Sequence, residues 1–99
     1  TLDVRQYMEI DAGGPMHIVG IITQGRGTSA YAHQYVTEFR VEHRLGDALG
    51  SGVELPGTFT MTENSKKEHV FAQHVYARYI RIIVLAWNDH ICMRAALVV

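Results

Sequence analysis

Apolar and polar side chains alternate with a period of two along much of this chain. In residues 35–43, Tyr35, Thr37, Phe39 and Val41 share one face while Glu38, Arg40 and Glu42 share the other, the pattern of a strand buried on one side. Tyr31, Tyr35 and Phe39 also stand at helical spacing, but β-branched Val36, Thr37 and Val41 and the clean alternation of charge favour the extended form. Similar runs predict strands over 7–11, 16–24, 57–61, 69–72, 77–85 and 91–99. Turn residues separate them: Gly13-Gly14-Pro15, Gly46-Asp47, Gly50-Ser51-Gly52, Pro56-Gly57, Glu63-Asn64-Ser65 and Asn88-Asp89. Short strands punctuated in this way, with no strong helical segment, indicate an all-β antiparallel sandwich or barrel. The Gly-rich stretch 44–56 reads as a long mobile loop. The expected core is Tyr7, Ile21, Phe39, Val41, Tyr79, Ile82, Trp87, Met93 and Leu97, with Trp87 the largest contributor.

Length and composition narrow the classes of function. The chain has 99 residues, enough for one domain with a modest core. Charged residues make up 19% and the formal net charge is −1, so there is no basic footprint for a nucleic-acid backbone and no polybasic membrane anchor. The longest unbroken apolar run, residues 82–87, falls far short of the ~18 residues of a spanning helix.

Two motifs invite an enzymatic reading. Gly25-Arg26-Gly27-Thr28-Ser29-Ala30 fits G-x-G-x-x-A after the apolar run 18–22, the spacing of a dinucleotide-binding turn. Such a turn must open a helix, whose N-terminal N–H groups hold the pyrophosphate; here a strand pattern follows instead. Glu9 and Asp11 share one strand face about 7 Å apart by strand rise, a separation compatible with a glycosidase pair, although outward carboxylates on a strand are usually only solvated. The six histidines, His17, His33, His43, His69, His74 and His90, form no H-x-H or H-x-x-x-H pair, so spacing supplies no metal site and no cofactor is expected. Ser29, Ser51 and Ser65 stand outside any nucleophile motif. The single cysteine, Cys92, is either a buried thiol or half of a disulfide whose partner lies elsewhere.

Five stretches in order are similar to the discoidin, or coagulation-factor 5/8 type C, domain. Gln6-Tyr7-Met8-Glu9-Ile10-Asp11 resembles its Q-W-L-Q-V-D strand, with Tyr for Trp, and residues 18–25, IVGIITQG, resemble its V-T-G-I-I-T-Q-G. Residues 35–41, YVTEFRV, resemble the next strand, and Ala77-Arg78-Tyr79-Ile80-Arg81-Ile82 its A-R-Y-I-R-I. Trp87 followed by residues 91–97, ICMRAAL, is similar to its closing W-x-x-x-I-x-L-R-x-E-L. The dinucleotide-like motif then reads as the end of a sandwich strand and the start of a ligand-facing loop.

The resemblance implies a galactose-binding-like jelly-roll β-sandwich without catalytic activity or cofactor. Residues 1–99 would form one domain, the C-terminal two-thirds of the family fold, lacking its opening strands. Its partners would be a glycan, a phospholipid surface or a protein ligand in an extracellular or secreted setting, with no nucleic acid and no transmembrane segment. The ligand-binding set implied is Arg26, Thr28, Ser29, Tyr31 and His33 in the loop, flanked by Asn88 and Asp89. Arg26 matches an Arg with which collagen-binding members hold a carboxylate, but Gln34 replaces the Glu that ends their loop. Ile91-Cys92-Met93-Arg94 resembles the subgroup whose Cys pairs with an upstream one. An upstream segment or a second chain is expected to complete the sheet, because an open edge leaves backbone groups unpaired. A structural interaction domain in a larger assembly is the alternative function, and a small all-β enzyme a third.

Overall fold

A computed structural model describes residues 7–24, 35–46, 52–61, 66–88 and 93–99. The elements there are strands: β1 (Tyr7–Gln24), β2 (Tyr35–Arg44), β3 (Val53–Glu54), β4 (Phe59–Thr60), β5 (Lys67–Asn88) and β6 (Arg94–Val98). All pairings are antiparallel, in the order β3-β2-β5-β1-β6 with β4 also on β2.

Two strands are far longer than the sequence pattern suggests, and their length makes the sandwich. At ~3.3 Å per residue a straight β5 would exceed 70 Å, whereas the longest dimension of the protein is 38 Å. β5 therefore folds back on itself and serves two layers. Residues 67–77 pair with 16–23 of β1, while 79–88 pair with β2 on one edge and, through 79–83, with 7–11 of β1 on the other. The side chains confirm the stacking. Phe39 on β2 meets His69, in the first half of β5, edge-on at 5.1 Å between ring centres, although its own strand partner is Val84 in the second half.

Compensating irregularities bend both strands. Between the pairs Asp11↔Tyr79 and Met16↔Ala77, β1 carries Ala12, Gly13, Gly14 and Pro15 against Arg78 alone. Between Ile18↔Val75 and Gly20↔Val70, β5 carries Phe71 to His74 against Val19 alone. Gly13-Gly14-Pro15 is thus no turn between separate strands but a bulge inside one. Gly13 takes φ 89°, a conformation open to glycine, and its N–H donates to Asp11 Oδ1 at 2.8 Å. The expected strands 69–72 and 77–85 likewise merge into β5, and the stretch read as a long loop holds β3, which pairs Val53 and Glu54 with His43 and Glu42; residues 47–51 lie outside the described residues.

The core lies between the layers. Ile18, Ile21, Val36, Phe39, Val41, Ala77, Ile80 and Ile82 are fully buried, with Met61, Phe71, Val75 and Val84 nearly so. Phe59 on β4 stacks on Phe39 at 5.5 Å and packs on Phe71 at 6.0 Å. Ile21, Phe39, Val41 and Ile82 occupy the core as expected. Trp87, Met93 and Leu97 only flank it, Tyr79 is half-buried and Tyr7 is exposed. Large aromatic size misled here: Tyr7 pairs with Ile83 and so faces away from the inward Ile80 and Ile82. In β2, a register shift around Thr37 and Glu38 places Val36 inward with Phe39 and Val41.

Candidate functional site at one end of the sandwich

Four strand ends converge at one end of the sandwich. β1 ends at Gln24, which pairs with Arg94 at the start of β6, and Tyr35 at the start of β2 pairs with Asn88 at the end of β5. The two pairs lie at the same end. Thr23 Oγ1 donates to Met61 Sδ at 3.0 Å, and the Met61 N–H donates to the Thr37 carbonyl at 2.9 Å. Gln24, Tyr35 and Asn88, the described residues that flank 25–34 and precede 89–92, therefore stand at this end. Arg26, Thr28, Ser29, Tyr31, His33 and Asp89 lie in those segments, outside the described residues, as does Cys92. Asn88 is placed by its backbone pairing with Tyr35.

Beneath this end lies a polar pair inside the core. Thr23 is fully buried and His69 is 5% exposed, with Thr23 Oγ1 and His69 Nε2 2.8 Å apart. The hydroxyl and the imidazole share this hydrogen bond, with the donor set by the His69 tautomer. Burial, and then the Lys67 charge, hold the His69 pKa below its usual 6.5, so the imidazole is neutral at neutral pH. A shallow recess of about 200 Å³ opens beside the pair, lined by Ile22, Thr23, Gln24, Lys66, Arg94, Ala95 and Ala96. Lys66 and Arg94 are exposed there. Neither stands out in the sequence as a ligand; the pairing of Thr23 with Lys67 brings Lys66 to this end and that of Gln24 with Arg94 brings Arg94.

The carboxylates considered for acid–base chemistry are held by guanidiniums instead. Glu9 Oε1 forms an ion pair with Arg44 and lies 3.4 Å from Arg81 Nη2, while Asp11 receives two hydrogen bonds from Arg78 at 2.9 and 3.1 Å. The Arg78 hydrogen bond, more than the Gly13 N–H, lowers the Asp11 pKa below 3.8. A general acid needs the opposite shift. No three His, Cys, Asp or Glu side chains among the described residues are grouped to hold a metal, and no helix there is long and apolar enough to cross a membrane.

A larger apolar groove of about 650 Å³ runs between β3, β4 and the bulged half of β5, lined among others by Leu55, Pro56, Phe59, Phe71, Val75 and Tyr76, with His43 and His74 at its margin. Along residues 67–77 of β5, no described strand pairs with the edge opposite β1.

The family model of the F5/8 type C domain matches residues 1–97. The chain belongs to the F5/8 type C domain family. Lactadherin of Rattus norvegicus is 30% identical to this F5/8 type C chain over 98 residues, covering 94% of it and 23% of the relative. Retinoschisin of Takifugu rubripes is 28% identical over 101 residues, covering 96% and 35%. The chain thus spans about a quarter of lactadherin and about a third of retinoschisin. Wild-type discoidin II of Dictyostelium discoideum superposes with a TM-score of 0.77 at 29% identity, over 98% of this chain and 38% of that one. The family 32 carbohydrate-binding module of C. perfringens NanJ, solved in complex with galactose, shares the fold with a TM-score of 0.69 at 15% identity, over 92% of this chain and 61% of that one. The architecture is the all-β, galactose-binding-like jelly-roll sandwich.

Proposed function

We propose that this F5/8 type C chain is a non-catalytic recognition module that binds a glycan by the loops at one end of its sandwich, in an extracellular or secreted setting. The pairing of Tyr35 with Asn88 supports the reading, because it holds side by side, on a rigid scaffold, the residues next to the two proposed binding segments. The galactose complex of the fold neighbour supports a sugar as the first ligand to test, with phospholipid headgroups and protein ligands as the other members of the same screen. Arg26, Thr28, Ser29, Tyr31, His33, Asn88 and Asp89 form the proposed contact set. The ion pairs that hold Glu9 and Asp11 speak against an enzyme. Binding should be measured on a glycan array, anionic liposomes and collagen peptides. Selective binding weakened by both Arg26→Ala and Tyr31→Ala supports the reading, whereas binding indifferent to both overturns the loop assignment.

A second reading has its own observation. The edge of β5 that lacks a described partner, beside an apolar groove, supports completion of the sheet by a strand from an upstream segment or a second chain, and with it a structural role in an assembly. The isolated 99-residue chain, run by size-exclusion chromatography with light scattering, should self-associate. Adding an upstream segment should return it to a monomer, and a stable monomer without one would count against this reading.

A further inference from the structure

Two cations line the recess beside the Thr23–His69 pair, and three strands bring them there. Thr23 pairs with Lys67 and Gln24 with Arg94, so Lys66 stands level with Gln24, and Lys66, Gln24 and Arg94 lie abreast. Two strand spacings, about 10 Å, separate the outer two at the backbone, a gap that a lysine and an arginine side chain together span. All three line the recess of about 200 Å³. Gln24 directly precedes Gly25 and Arg26, which puts the recess at the root of a proposed binding segment, although neither cation belongs to the proposed contact set.

Neither cation is matched. Lys67, the neighbour of Lys66, donates from Nζ to the Thr60 carbonyl oxygen at 2.9 Å. Lys66 and Arg94 are exposed, and their side chains have no ion pair among the described residues. No carboxylate among those residues lines the recess. Glu68, one row further from the loop end beside Ile22, pairs with neither cation. The apolar part of the lining is Ile22, Ala95 and Ala96, so a ligand group reaches the strands without meeting a large side chain from β6. Two converging cations over such a floor make a seat for one oxyanion, because guanidinium and ammonium donors form their strongest hydrogen bonds to charged oxygens.

We infer that the bound glycan is acidic, and that this recess takes its carboxylate or sulfate between Lys66 and Arg94. The inference rests on the loop reading, which supplies the rest of the sugar's contacts. The Arg94 guanidinium presents a fork to two oxygens of the anionic group, Lys66 Nζ donates from the opposite wall, and the Gln24 amide offers both a donor and an acceptor to a ring hydroxyl. An anionic membrane is the poorer fit. Electrostatic attachment to lipid takes a cluster of about four to eight cations, and insertion takes large apolar side chains at the contact, whereas the recess holds two cations over alanines in a chain of net charge −1.

The test measures the whole chain against immobilised galactose, galacturonate and galactose 6-sulfate, with vesicles of phosphatidylcholine alone or mixed with phosphatidylserine as the lipid arm. At least one acidic sugar should bind about tenfold more tightly than galactose at low salt, and the preference should shrink in ~1 M salt, where the screening length is ~3 Å. Lys66→Ala and Arg94→Ala should each cut that preference about three- to fivefold, while Lys67→Ala, which removes an equal charge held by Thr60, should keep it. Arg26→Ala and Tyr31→Ala weaken acidic and neutral sugars alike if the loop reading holds, so the two readings fail separately. Equal affinity for acidic and neutral sugars, or a preference that survives both recess substitutions, overturns this inference and leaves the loop reading standing. Vesicle binding lost in the same two variants, with no acidic-sugar preference, assigns the cations to a lipid headgroup and overturns it as well; no sugar binding at all overturns both readings. Both side chains are exposed, so the variants should melt with the parent. If one does not, amide shifts of residues 22–24, 66 and 94–96 in the ¹⁵N-labelled unaltered chain on adding galacturonate or galactose 6-sulfate decide, and unmoved amides there with both overturn the inference.

Discussion

His69 Nε2 and Thr23 Oγ1 meet at 2.8 Å inside the sandwich, joining the first half of β5 to the end of β1. Phe39 and Phe59 both pack edge-on against the same imidazole, which leaves little room to hydrate a cation. Folding therefore favours neutral His69, and its pKa in the folded chain lies below the 6.5 of the unfolded one. For a depressed pKa the stabilisation is complete above about pH 6.5 and is lost as pH falls through the lower folded value. His43, lowered by burial, acts in the same direction. Melting temperature measured from pH 7.5 downward should fall with acid, and His69→Gln should flatten that slope. An unchanged slope in the variant would show that another group governs it.

Glu9 and Asp11 are alike in sequence but not in consequence. Glu9 is 21% exposed and faces Arg44, which is 6% exposed, so Glu9→Gln removes a negative charge from beside a mostly buried guanidinium and should cost about 2–3 kcal/mol, somewhat less than breaking a fully buried pair. Asp11 and Arg78 are exposed partners, and Asp11→Asn should leave the melting temperature near that of the parent. Denaturant midpoints of the two variants make the comparison.

Core truncations should rank by burial rather than by ring size. Phe39 is fully buried, and Phe39→Ala should remove about 3–5 kcal/mol. Trp87 only flanks the cluster, so Trp87→Ala should cost less. The reverse order in urea would return Trp87 to the centre of the core.

Gly20 sits between β5 and β6, paired with Val70 and Val98. A Cβ there would collide with the His69 carbonyl oxygen and lie 3.2 Å from Val70 Cα; both are backbone atoms that cannot rotate away. Gly20→Ala should destabilise by about 1–3 kcal/mol, while Gly14→Ala, which meets open space, should be tolerated. Paired thermal melts check this.

These contrasts also mark how far local pattern reaches. Period-two alternation was sufficient for Phe39 to Val41 of β2 and for Ile80 to Ile82 of β5, because each stretch buries one face. The Gly13-Gly14-Pro15 chemistry was legible, but its outcome was not: a turn and a bulge use the same residues, and the choice depends on β5 carrying its own excess at Phe71 to His74. The inward Val36 follows from a register shift, and outward Tyr7 from its pairing with Ile83. Both are facts about a neighbouring strand. For the site, the resemblance named the loops, and the pairings of Tyr35 with Asn88 and Gln24 with Arg94 place their anchors together. Lys66 and Arg94 have no local signature, because they are distant along the chain and meet only through the strand pairings.

The shared strand β5 also governs how the chain can reach this structure. β1 is made early, yet its partners are Lys67 to Ile83, so Ile18 and Ile21 must wait for most of the polypeptide before they are covered. Closing such long loops before any contact rewards them places folding in the slow, millisecond-to-second class typical of non-local β topologies. During that interval the early strand is exposed to intermolecular pairing. Once β5 is in place it ties both layers together, and neither can open without breaking the strand that holds the other, so the sandwich should be lost in a single cooperative step.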